Sequence, residues 1–132
     1  MRASTRRVLN AVGLATPLGM LVGVLGRARF TAGPDMLLVA HGYRLRVPLT
    51  SAFTIGDVVI TPGSYQRLLD QPGLLPHETR HAYQWASWLG LPFLLPYAAC
   101  AGYSLLRTRN PALGNIFEIR AGLVDGGYVK AR

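Results

Sequence analysis

The sequence predicts an α+β protein: an N-terminal apolar helix, a small antiparallel sheet, and helices after it. Three observations carry this expectation. Val8 to Gly26 holds no charged residue and is long enough for a helix. Short runs rich in β-branched residues follow between Met36 and Thr61, punctuated by glycines. Beyond Pro72-Gly73, Pro76 suits the first turn of a helix that carries two histidines.

The elements follow in order. Arg2, Arg6 and Arg7 precede the first apolar stretch, and Arg27 and Arg29 follow it. A helix of that length reaches about 28 Å, close to the hydrocarbon thickness of a bilayer. A membrane or interfacial anchor, a core helix and a secretory signal all fit this pattern. Residues 1–30 are therefore set apart as a basic and apolar segment, with 31–132 as the main domain. Met36 to Ala40 reads as a buried strand, and Tyr43 to Val47 as an alternating one. Ala52 to Ile55 and Val58 to Thr61 flank Gly56-Asp57, which suits a tight hairpin. Ser64 to Asp70 reads as a short helical turn. Further helices are expected around His77, over Leu94 to Leu106, and around Glu118.

Composition narrows the function. The chain has 132 residues, enough for one modest core. It carries 14 basic and 6 acidic residues, a net charge of +8, and a single cysteine. One cysteine closes no intrachain disulfide and builds no cysteine-rich zinc module. The arginines form no dense run and no nucleic-acid reader motif is present, so nucleic acid is not the expected partner. A basic chain with uncharged apolar stretches points instead to a membrane surface.

His77-Glu78-Thr79-Arg80-His81 is H-E-x-x-H. On a helix, positions four apart share a face, so His77 and His81 can put two imidazoles on one metal ion. Glu78 then lies beside the open coordination position as the general base. Catalytic zinc normally takes three protein ligands. The candidates are Glu118 and His41, and Glu118 is favoured. It is the only other glutamate of the chain and falls in a helical stretch. Asn115-x-x-Glu118 also has the spacing of a capping box, which would turn Glu118 back on its own helix.

His77 to Trp85, with Asn115-x-Phe117-Glu118-x-x-Ala121, resembles short bacterial zincin-like proteins. More distantly it is similar to membrane metallopeptidases whose second motif is E-x-x-A-D. The resemblance spans Ile55 to Tyr128. It implies a minimal zincin fold and a Zn²⁺ peptidase acting on a peptide or protein substrate. It also implies a substrate-binding edge strand, a place that Val58-Val59-Ile60 would fill. Where the second motif has Asp this chain has Gly122, and Asp125 is the substitute for orienting a histidine. Tyr128, Tyr83 and Arg80 are candidates for stabilising the transition state.

Ala82 to Leu106 is a second uncharged stretch. A single crossing there would hold His81 and Glu118 about 30 Å apart. Zinc ligands sit about 2 Å from the metal, so a crossing and a shared site exclude each other. Gly90, Pro92 and Pro96 predict a break into two helices instead. The expected function is zinc-dependent peptide hydrolysis at or near a membrane. The alternative is a small non-catalytic membrane-associated protein with a structural or vestigial metal site.

Overall fold

The computed structural model describes residues 1–46 and 51–130. Its N-terminal apolar stretch does not form one helix. Helix α1 spans Ala3–Val12 and α2 spans Ala15–Leu25, bent by 75°. The break falls at Gly13-Leu14, where Leu14 is left-handed at φ +64. Gly13 has no room for a side chain, since a Cβ there would lie 2.1 Å from the Leu89 carbonyl oxygen. Ala15 of α2 packs in one cluster with Trp85, Phe93 and Phe117 from later in the chain.

Four strands follow: β1 Arg29–Ala32, β2 Leu38–His41, β3 Phe53–Ile55 and β4 Val58–Thr61. Their order in the sheet is β1-β2-β4-β3. β1 pairs antiparallel with β2, and β3 with β4, around the expected Gly56-Asp57 turn. β2 and β4 run parallel, so the sheet is mixed. The alternating run from Tyr43 forms no strand over residues 43–46, and Val47 lies outside the described residues. Tyr43 instead donates its N–H to the Thr61 carbonyl at 3.1 Å, and Arg44 donates to the Gly26 carbonyl at 2.8 Å. β1 takes the place of the missing strand.

The alternation of β2 and β4 sorts their side chains onto two faces. Ala40, Val58 and Ile60 face α2. Val39 and Val59 pack with α3 (Tyr65–Leu69) and α4 (Leu74–Ser87). Ser64 caps α3 by accepting the Arg67 N–H at 3.1 Å. A 3₁₀ turn at Leu91–Phe93 leads into α5 (Leu94–Thr108), and α6 is Ile116–Ala121. The Ala82 to Leu106 stretch breaks near Gly90, where the chain bends by 107°. Among the described residues, no single helix is long and apolar enough to cross a membrane.

Candidate metal centre

α4 holds His77 and His81 one turn apart on its buried face, and α6 holds Glu118 opposite them. The 36 residues between His81 and Glu118 bring the three together with donor atoms within 4.8 Å of one another. His77 Nε2 and His81 Nε2 are 3.0 Å apart. Glu118 Oε1 lies 2.8 Å from His81 Nε2, and Oε2 lies 3.2 Å from His77 Nε2. Atoms ligating one zinc tetrahedrally sit about 3.3 Å apart, so these separations are a few tenths of an ångström tight for a metal cage.

The hydrogen bonds behind the rings fix what the inner nitrogens offer. His77 Nδ1 is 2.8 Å from the Gly122 carbonyl oxygen, which can only accept. His77 therefore donates from Nδ1. Gln84 donates its amide N–H to the Phe117 carbonyl at 2.8 Å, which turns its oxygen toward His81 Nδ1, also at 2.8 Å. His81 donates from Nδ1 as well. In their neutral forms both rings then present bare Nε2 lone pairs to each other and to a carboxylate. Three acceptors facing one point favour positive charge between them, a proton on a histidine or a cation. Glu118 Oε2 is buried and has no hydrogen-bond partner. The donor set fits zinc: two neutral imidazoles, one carboxylate and oriented second nitrogens.

The electrostatics agree. Burial works against a charged His81, but its hydrogen bond to Glu118 and the Glu78 and Glu118 charges outweigh it and raise its pKa. Burial would likewise raise Glu118; contacts from His77 and His81 hold it well below the usual carboxylate range. Both shifts favour positive charge between the two histidines and the carboxylate. Burial pushes Glu78 up, against the pull of His81 and of the Thr54 hydroxyl, which donates to Glu78 Oε2 at 2.6 Å. A raised carboxyl pKa suits a group that must take up and release a proton.

Glu78, His81 and Glu118 line one cavity of about 340 Å³ with Thr54, Tyr97 and Tyr128. Tyr97 donates its hydroxyl to Glu118 Oε1 at 2.9 Å, and burial with the Glu118 charge keeps that phenol protonated. Asn115 caps α6 by accepting the Phe117 N–H at 3.0 Å, while Glu118 turns to the histidines instead of completing a capping box.

Several expected residues lie elsewhere. His41 is on β2, 2.9 Å from the Thr31 hydroxyl, and is not in the cluster. Tyr83 donates to Asp35 at 3.3 Å with its ring under Arg6, away from the cavity. Arg80 pairs with Asp125 at 2.9 Å, so Asp125 does not orient a histidine. That task falls to the Gly122 backbone carbonyl and to Gln84. Tyr128 alone of the three transition-state candidates lines the cavity, its ring 6.0 Å from that of His77. Val58-Val59-Ile60 is not an edge: β4 is paired on both sides, and among the described residues the edge beside the site is β3.

Sequence reasoning did not single out Gln84, Tyr97 or Thr54. Gln84 carries a usable signal, lying three residues after His81 on the same helix. Gly126 was also missed. A Cβ there would lie 2.6 Å from His77 Cε1, so the loop after α6 is pressed against that imidazole. No family model, no curated protein and no solved structure matches this chain.

Proposed function

We propose that this chain is a zinc-dependent peptidase in which His77, His81 and Glu118 hold the metal and Glu78 is the general base. The observation that carries the reading is the convergence of three buried acceptor atoms with both outer histidine nitrogens committed as donors. A bound zinc would polarise a carbonyl and lower the pKa of a water from about 15.7 to about 7. Glu78 shares the cavity with His81 and Glu118, where a substrate can meet it. Water adds to the scissile carbonyl and its proton passes to Glu78. Glu78 then delivers that proton to the amine as the C–N bond breaks. Phe53 and Thr54 of the edge strand β3 line the same cavity, which favours an extended peptide lying alongside. Trp85, Phe93 and Leu94 give the cavity an apolar wall suited to an apolar side chain.

Elemental analysis of the detergent-purified chain, with hydrolysis of a mixed quenched-peptide library, tests this. Wild type should hold close to one zinc per chain and cleave; His81→Ala and Glu118→Ala should lose the metal. Glu78→Gln should keep zinc and lose at least about 100-fold in rate. Absence of zinc from reconstituted wild type overturns the metal reading. Zinc retained with no cleavage, or with cleavage unchanged in Glu78→Gln, overturns the catalytic one. The site would then be structural, in a small non-catalytic protein.

A further inference from the structure

Helix α2 is inside out for a helix lying on a sheet. Its buried residues are Ala15, Gly19 and Gly23. A Cβ at Gly19 would lie 2.5 Å from the Ile55 carbonyl oxygen, and one at Gly23 would lie 2.7 Å from the Phe30 ring. The helix thus meets the sheet through its smallest residues, while Leu21, Val24 and Leu25 stand exposed. Helices surrounded by water usually do the reverse and turn large apolar residues inward. Close packing through small residues with large ones outward is the pattern of helices that face lipid.

Helix α5 repeats the pattern independently. Ser104 is its one buried residue, and Leu95 and Leu106 are 78% and 87% exposed. The two helices start from a shared junction. The Leu91 N–H donates to the Gly13 carbonyl at 2.9 Å, joining the turn before α2 to the turn that leads into α5. Leu14 and Leu89 are exposed at those turns, both left-handed, with φ +64 and +61. Each helix carries two exposed arginines at or just past its C-terminal end, Arg27 and Arg29 after α2, Arg107 in the last turn of α5 and Arg109 directly after it. Neither helix holds an acidic residue.

We infer that α2 and α5 dock this chain on the surface of an anionic lipid bilayer, their apolar residues in the interface and their arginine pairs on lipid phosphates. Eleven and fifteen residues make helices of about 16 and 22 Å, against about 30 Å of hydrocarbon, so they lie in the interface and do not cross. Exposed Trp88 and Tyr103 suit the headgroup level. Charge decides between lipid and a second copy. Two copies joined by this surface would bring two +8 chains and their arginine pairs together, whereas anionic headgroups neutralise them. The inference makes no use of the metal site.

Its test is sedimentation of the full chain with vesicles of phosphatidylcholine alone or of equal parts phosphatidylcholine and phosphatidylglycerol. Wild type should bind the mixed vesicles more tightly, and salt should weaken that preference. Combined Arg27→Gln, Arg29→Gln, Arg107→Gln and Arg109→Gln should weaken binding about fivefold for each arginine that meets headgroups. Leu95→Glu with Leu106→Glu should weaken it at least about tenfold. The arginine variant touches no core residue, so it stands as the test if the leucine variant misfolds by circular dichroism. Binding unaffected by either variant, or no binding of wild type to either vesicle, overturns the inference. So does a dimer in solution that the leucine variant splits while vesicles capture nothing.

Discussion

Two buried polar clusters sit on opposite sides of α4, and they solve the same problem in opposite ways. In one, Arg6 is fully buried and donates from Nε to Asp57 Oδ1 at 3.0 Å and from Nη1 to Asp35 Oδ2 at 3.1 Å. Asn10 adds a donor to the same Asp57 oxygen at 2.7 Å, and to the Ala82 carbonyl at 3.0 Å. Charge of both signs is present and the Arg6 charge is neutralised from within the cluster, though Asp57 Oδ2 and Asn10 Oδ1 remain unpaired. In the other, His77, His81 and Glu118 aim acceptors at one point, and the second nitrogens are already used. Burying polar groups is common to both. Only the second leaves acceptors that call for added positive charge, a proton or, on the proposed function, a metal ion. That asymmetry, more than burial, separates a binding site from a structural ion pair.

The comparison can be broken most sharply at Asp57. Asp57→Ala leaves the buried guanidinium with only the half-exposed Asp35 carboxylate and should cost about 3 kcal/mol. Replacing Arg6 and Asp57 together by Met and Leu should recover most of that loss. Urea unfolding of the three proteins measures it; equal losses in the single and double variants would show that the pair is not self-contained. A smaller effect is expected at Gln84. Gln84→Ala frees the His81 ring and should weaken zinc binding by about 10–100-fold while leaving stability without metal nearly unchanged. Competition with a chromophoric chelator reads it, and an unaltered affinity would remove Gln84 from the site.

The smallest effect is a pH dependence. The raised pKa of His81 stabilises the metal-free fold fully below the ordinary imidazole value, and this is lost as pH rises through the raised value. Zinc competes with that proton. Its stabilisation should therefore grow from about pH 6 to about pH 8, by up to about 1.4 kcal/mol per pH unit for each proton displaced. Thermal unfolding with and without zinc at the two pH values checks the sign. Asp57→Ala should shift both curves down together without changing the difference between them.

What the sequence shows of this molecule follows the range of the contacts. His77 and His81 are legible because their geometry is set within one helical turn. Glu118 is legible because the chain offers one other glutamate, although its spacing equally suits a cap; only the fold of α6 against α4 decides. Arg6 reads as the basic flank of an apolar stretch, and its burial depends on Asp57, 51 residues away. Tyr97 and Thr54 reach the site from α5 and β3, and nothing local marks them. The hairpin around Gly56 is visible in its turn residues. That β4 inserts beside β2 and leaves β3 at the edge is a matter of long-range pairing, so the substrate edge is assigned to the wrong strand of the right hairpin.

Gly126 gives the His77 imidazole almost no slack. The ring is held between the loop backbone and the Gly122 carbonyl, a carbonyl that also accepts the Gly126 N–H at 3.0 Å. The loop is therefore a jig: it fixes the imidazole in advance, so on the proposed metal reading little ordering cost would be charged against capture. On the proposed metal reading, a methyl group added at Gly126, a loop residue outside every ligand motif, would act as a lever on the metal. A change outside every motif could thus retune affinity while all three ligands stay in place.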